Sequence, residues 1–239
     1  MYLIRRLAAP RLGLVGREAR NRMTTHSDPV TAVSPDTRAG RAGGARASER
    51  GAATRSGLLA AAREVFISQG YAQAGVTDIV ARAGASVGSL YHHYSGKAEL
   101  YFALFDELRR DQGERTRAAV RRAGESGVTD PMQLFLAGAR AYLDVCIEQR
   151  QLAGMFARGD GPPGFEVLWR QRLADWVRKN AEFFARSGEP LDEAAAIVMT
   201  GAMMLAVAEV SLAGDTGTAR QLADGVLAVL ARLQVSAPG

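Results

Sequence analysis

The chain has 239 residues, 30 basic and 25 acidic side chains and a net charge of +5, enough for one or two domains with a sizeable core. One cysteine, Cys146, and three histidines exclude an internal disulfide framework and a thiolate zinc cage, and they fit a reducing, cytoplasmic setting with no metal and no cofactor. The apolar runs read as too short for a bilayer-spanning helix of about 20 residues, so no membrane segment is expected.

The charge is unevenly placed. Eleven arginines fall within residues 1–56 against Glu18, Asp28, Asp36 and Glu49, so this stretch holds the whole positive excess and the remainder is slightly acidic. An argument for nucleic-acid binding therefore has to come from local geometry. Residues 1–22 are arginine-rich, and the arginines interrupt every apolar run, which argues against a secretory signal. A mitochondrial presequence is one alternative. The plain polar stretch opened by Met23 favours translation from Met23, or simple disorder. Residues 23–52 are mostly Ala, Gly, Ser, Thr, Pro and Arg, which bury too little to offset the entropy of ordering. Residues 1–52 are expected to be a flexible basic tail, either merely solvated or an arm that follows phosphates.

Order is expected from Thr54. Leu58, Leu59, Ala62, Val65 and Phe66 recur at helical spacing, and Gly70 closes the helix. A short helix over Val76 to Ala83 puts Ile79 and Val80 inward. After a turn at Gly84 and Ala85, Ser86 caps a third helix through His93. A long fourth helix begins near Gly96, carries Leu100, Leu104, Phe105 and Leu108 on one face, and ends at Gly124 to Gly127. Pro131 opens a fifth, a shorter piece covers Leu152 to Ala157, and Gly159 to Gly164 break the chain. Phe165, Trp169, Leu173, Trp176, Asn180 and Phe183 share the face of a further helix, and two more cover about 191–212 and 218–234. No strand or repeat signal stands out. The expected fold is all-α, with about nine helices.

Two short helices joined by a tight glycine turn form a helix-turn-helix. Ile79 and Leu90 are placed to hold the pair together, and Gly84 supplies the turn conformation. Small residues at the front of the second helix, Ser86, Val87, Gly88 and Ser89, let its backbone approach a major groove closely.

Residues 54–105 resemble the DNA-binding domain of the TetR family of bacterial transcriptional repressors. The resemblance rests on Phe66, Gly70 and Tyr71, on Asp78-Ile79, on Ala83-Gly84 with Ser86, on Gly88-Ser89-Leu90-Tyr91 with His93-Tyr94, and on Lys97 with Leu100. It implies a three-helix DNA-binding domain over 53–98 and a divergent ligand-binding and dimerisation domain over 99–235. It places Val87, Gly88, Ser89 and His92 on the base-facing side, with Tyr91 and His93 at phosphates or supporting the helix. Lys97, at the N-terminus of the fourth helix, matches a backbone-contacting lysine, where an ammonium beside free amide groups suits a phosphate. Thr77 and Ser86 complete the expected DNA face. Where the family usually has Ser or Thr before the second helix, this chain has Gly75, which still serves as a cap residue.

Adjacent His92 and His93 point about 100° apart on a helix and do not chelate together. Cys146 reads either as a small buried hydrophobe or as a redox sensor, and its apolar face favours the first. Leu104, Leu108, Phe135, Tyr142, Cys146, Met155, Phe156, Trp169, Trp176 and Met203 are core side chains or a pocket lining, and the resemblance favours a pocket. Asn180, interrupting an apolar face, is the candidate polar group for a ligand, or else a satisfied core amide. Ile197, Gly201 and Met204 on one late helix and Leu222, Val226, Val229, Leu230 and Leu233 on the next make the expected dimer seam.

The resemblance therefore implies a homodimeric regulator, a repressor released by a small apolar or amphipathic ligand, whose partners are double-stranded operator DNA and a second copy of itself. No carboxylate pair, nucleophile–base set or phosphate loop supports an enzyme. The rival expectations are a small-molecule-binding helical protein or enzyme without DNA function, and a regulator that answers to a protein.

Overall fold

The first helix runs further back than its apolar stripe does. In the computed structural model, which describes residues 38–188 and 190–233 with side chains from residue 48, α1 runs over Arg38–Gln73. Thr54, where the apolar stripe begins, lies inside it. The preceding stretch is rich in Ala and Arg, good helix formers, while Ser48, Glu49 and Arg50 are exposed. The tail expected over 1–52 thus lies outside the described residues as far as 37 and is helical from Arg38. Contacts divide the chain into two units, Met1–Gly43 and Gly44–Gly239, and the second holds all the elements that follow α1.

Gly70, at φ 78, interrupts α1 near its end. α2 (Val76–Ala83) and α3 (Val87–His93) follow, then α4 (Lys97–Glu125), α5 (Pro131–Glu148), α6 (Arg150–Ala157), α7 (Phe165–Arg186), α8 (Glu193–Leu212) and α9 (Thr216–Leu230). No strand occurs among the described residues, and the fold is all-α. The helix starts are set by local chemistry. Asp130, Asp192 and Asp215 each accept hydrogen bonds from backbone N–H groups in the first turns of α5, α8 and α9. Two glycines let helices touch. A Cβ on Gly138 would stand 2.9 Å from Val120 Cγ2 of α4, and one on Gly154 would stand 2.9 Å from the Ser211 carbonyl oxygen of α8.

One buried cluster runs from Leu58 and Phe66 through Ile79, Leu90 and Leu100 to Leu152, Phe156 and Phe165. Packing is therefore continuous across position 98, where the sequence suggests a domain boundary. A second cluster joins Leu143, Cys146 and Ile147 of α5 to Phe184, Met199, Met203, Val210, Ala223 and Leu227. α8 corrects the expectation that no apolar run is long enough for a membrane, since by length and composition it qualifies. Its Ala196, Met199, Met203, Val207 and Val210 are buried in the bundle, as in the core helix of a globular protein.

Candidate nucleic-acid interface and ligand cavities

The turn between α2 and α3 is built as its residues dictate. Gly84 sits at φ 61, the left-handed region, and the N–H of Ala85 reaches back to the Val80 carbonyl at 2.9 Å. Gly75 offers no hydroxyl to α2, but Asp78 Oδ2 accepts the Gly75 N–H at 3.3 Å and ties the helix start from inside. Ser86 Oγ accepts the Ser89 N–H at 3.0 Å, so that hydroxyl caps α3.

Leu90 is fully buried and anchors α3, as does Tyr94, whose hydroxyl donates to the Arg55 carbonyl at 3.2 Å. The opposite face is open. Ser86, Val87, Gly88, Tyr91 and His92 are exposed, Tyr91 at 56%, and Ser89 and His93 are half-buried. Thr77 is exposed at the start of α2. Six of the nine residues expected to face DNA are thus exposed, and Ser89, His93 and Lys97 are half-buried. The Lys97 ammonium donates to the carbonyls of Tyr71, Ala72 and Ala74 at 3.0, 3.2 and 3.1 Å and lies 4.6 Å from the Tyr71 ring centre. All three of its protons have partners within the chain, so it fastens α4 to the segment after Gly70. His92 and His93 stack edge to face at 4.9 Å. Among the described residues no group of three or more His, Cys, Asp or Glu is placed to hold a metal.

Two cavities open among α4 to α8. The larger, about 530 Å³, is lined by Phe105, Leu108, Tyr142, Phe156, Phe165, Trp169, Leu173 and Trp176, with Met204, Leu205 and Val207 from α8. The smaller, about 270 Å³, is lined by Thr116, Val120, Phe135, Asn180, Phe183 and Met203. Tyr142 and Trp176 border both, their rings edge to face at 5.0 Å. Of the expected lining, Leu108, Tyr142, Phe156, Trp169 and Trp176 meet at the larger cavity, and Phe135, Asn180 and Met203 at the smaller.

Leu104, Cys146 and Met155 reach neither cavity, being packed in the core at 1%, 0% and 2% exposure. Burial pushes the Cys146 thiol up to about 12, and Gln112 Nε2 donates to its sulfur at 3.3 Å, which leaves a poor redox sensor. Asn180 is satisfied, donating from Nδ2 to Thr200 Oγ1 at 2.9 Å. Residues missed from sequence include Phe105, Phe165, Gln112 and the arginines Arg109, Arg170 and Arg172, all on the larger cavity's wall. The missed signal is register: Arg109 follows Phe105 by one turn, and Arg172 lies between Trp169 and Trp176 on the same face of α7.

The larger cavity is joined to the helix-turn-helix by aromatic packing. Fully buried Tyr101 touches Phe156 and Phe165 on the cavity side, with ring centres 5.0 and 5.1 Å away, and Tyr71 on the other side at 5.1 Å. Asp160, between α6 and α7, accepts the Tyr71 N–H at 3.0 Å. Burial, and secondarily the Asp160 charge, hold the Tyr101 phenol above its ordinary range.

The expected dimer seam divides. Ile197, Gly201, Leu222, Val229 and Leu233 are exposed on α8, on α9 and just beyond it, joined by Val198. Leu230 is buried within its own subunit, Val226 is half-buried against that core, and Met204 turns to the cavity.

Residues 58–104 match the sequence profile of bacterial regulatory proteins of the tetR family. An HTH-type transcriptional activator, FasR, of Mycolicibacterium smegmatis is 39% identical over 90 residues, 38% of this chain and 39% of that protein. An HTH-type transcriptional repressor of Mycobacterium tuberculosis is 37% identical over 124 residues, 52% of this chain and 60% of that protein. The chain thus spans less than two thirds of either relative. The crystal structure of a TetR-family transcriptional regulator from Pectobacterium atrosepticum aligns with a TM-score of 0.54 at 26% identity, covering 80% of this chain and 98% of that one.

Proposed function

The chain belongs to the tetR family of bacterial regulatory proteins, and from that premise we propose that it is a repressor that binds operator DNA as a homodimer and is released by a small molecule. The observation that carries this reading is α3: Leu90 is buried beneath it, while Val87, Gly88, Tyr91 and His92 are exposed among the described residues. A helix held from behind and bare in front is what insertion into a major groove requires. Thr77 and the free backbone groups at the start of α2 would meet phosphates. Lys97 acts chiefly from behind, setting the angle of α4 against the end of α1.

A dimer is supported by the exposed apolar side chains Ile197, Val198, Leu222 and Val229, a surface that a lone subunit would leave in water. Two α3 helices related by a two-fold axis would read a pseudo-palindromic site. The larger cavity is the effector site. A ligand there presses on Phe105, Phe156 and Phe165, which share packing with Tyr101 and Tyr71, and Tyr71 in turn holds Asp160 and Lys97. Release follows if the ligand binds better to the arrangement whose α3 spacing does not fit DNA. The protein acts in the cytoplasm, where its operator is.

A mobility-shift assay with DNA immediately upstream of the protein's own gene tests the reading. Wild type forms a retarded complex with two subunits per site, and Tyr91→Ala with His92→Ala weakens it at least about tenfold. Absence of any sequence-preferring complex would remove the DNA function and leave a helical ligand-binding protein.

A further inference from the structure

The larger cavity carries more cations than the described residues neutralise. Its wall is mainly aromatic and aliphatic, yet Arg109, Arg170 and Arg172 reach it against one carboxylate, Glu166. Arg109 pairs with Asp106 through Nη1 at 3.2 Å, but its Nε is buried without an acceptor. Arg172 makes no ion pair among the described residues, and its Nη1 is likewise buried without an acceptor. Both guanidinium groups lie against one ring, 5.8 and 5.1 Å from the centre of Phe105. Two guanidinium groups brought to one ring, with one carboxylate among the lining residues, leave the wall with an excess of positive charge that an anion would balance. A neutral apolar molecule would leave that charge unbalanced, and a cation would be repelled.

We propose that the larger cavity takes an amphipathic monoanion: an apolar body against Phe156, Trp169 and Trp176, with a carboxylate paired to the guanidinium groups of Arg109 and Arg172. This rests on the larger cavity being the effector site and adds the chemistry of its effector. The planar, delocalised guanidinium suits a carboxylate better than a point charge does, and it keeps its proton at any working pH. The cavity volume of about 530 Å³ admits a medium-chain or a compact aromatic acid.

The chain's two tryptophans, Trp169 and Trp176, both line the cavity, so intrinsic fluorescence reports occupancy. Wild type is titrated with dodecanoate, 1-dodecanol and dodecyltrimethylammonium below their micelle concentrations, and with 2-naphthoate against 2-naphthol. In at least one pair the acid should bind roughly tenfold or more tightly than the alcohol, with the ammonium weakest. In Arg109→Gln/Arg172→Gln that preference should shrink to about twofold while alcohol affinity changes little, and Arg172→Lys should keep part of it. Melting curves check each variant, and if the double variant does not fold, the wild-type ratio and Arg172→Lys decide. Equal affinity for acid and alcohol would overturn the anion while leaving an effector cavity. Quenching by none of the probes would overturn both.

Discussion

The α2–α3 unit and the α4–α8 cavity are built by different rules. In the first, each turn is fixed by a residue within a few positions: Gly84 for the left-handed bend, Ser86 and Asp78 for the helix starts, and Ile79 and Leu90 for the contact between helices. In the second, the wall comes from five helices far apart in sequence, and its shape depends on which side of each helix turns inward. The first unit is a fixed tool, and the second is a space whose chemistry a few substitutions can change. On the proposed function, a regulator built this way would keep its mode of DNA contact while its effector varied.

The comparison breaks most sharply at the dimer, which would join two fixed tools at a set distance. Val229 is 61% exposed on α9, so Val229→Glu should leave the thermal midpoint within a few degrees. It should also yield monomers in sedimentation velocity and cost operator affinity on the order of a hundredfold, because one half-site cannot replace two. Val229→Glu that remains dimeric would move the interface elsewhere. Val226, half-buried against its own core, is the poorer probe, because a charge there would also disturb the subunit.

A smaller effect separates two uses of one lysine. Lys97→Ala removes three charge-assisted bonds to carbonyls at a half-buried site, a loss on the order of 1–2 kcal/mol, so the midpoint should fall by roughly 2–8 °C. The dependence of DNA affinity on salt should stay nearly constant. If instead the salt slope becomes shallower by about one unit per half-site and the midpoint holds, Lys97 meets phosphate.

The smallest effect tests the interior of the second region. Burial raises the Cys146 thiol from 9.0 to about 12, so the buried thiol supports the fold fully below about pH 9 and progressively less as pH rises towards 12. The thermal midpoint of wild type should therefore drop more steeply between pH 9 and 11 than that of Cys146→Ala. The native thiol should also resist iodoacetamide at pH 8. Rapid alkylation would show that α5 opens readily.

The sequence is a good guide where the cause is local. The boundaries expected for α2, α3 and α4, the turn at Gly84, the cap at Ser86 and the proline start of α5 are those observed, because each depends on backbone chemistry within one turn of helix. Apolar periodicity finds a helix face but cannot say whether that face meets another side chain or an empty space. Hence Leu104, Cys146 and Met155 go to the core while Phe105 and Phe165, on similar stripes, reach the cavity. Arg109 and Arg172 carry no such signal, since an arginine on a helix is ordinarily a solvated surface residue, and here both lie against the Phe105 ring. Lys97 lay in plain sight, but its three carbonyl partners lie more than twenty residues away.

On the proposed function, DNA is read by the outer face of α3 and by nothing in the cavity. Fluorescence anisotropy of a labelled duplex from upstream of the protein's own gene, titrated with wild type, Tyr91→Ala and Trp169→Ala, tests it directly. Wild type should bind saturably and more weakly as salt rises, Tyr91→Ala should lose at least about tenfold, and Trp169→Ala without ligand should stay within about threefold of wild type. Equal affinities for wild type and Tyr91→Ala, or a loss confined to Trp169→Ala, would contradict it.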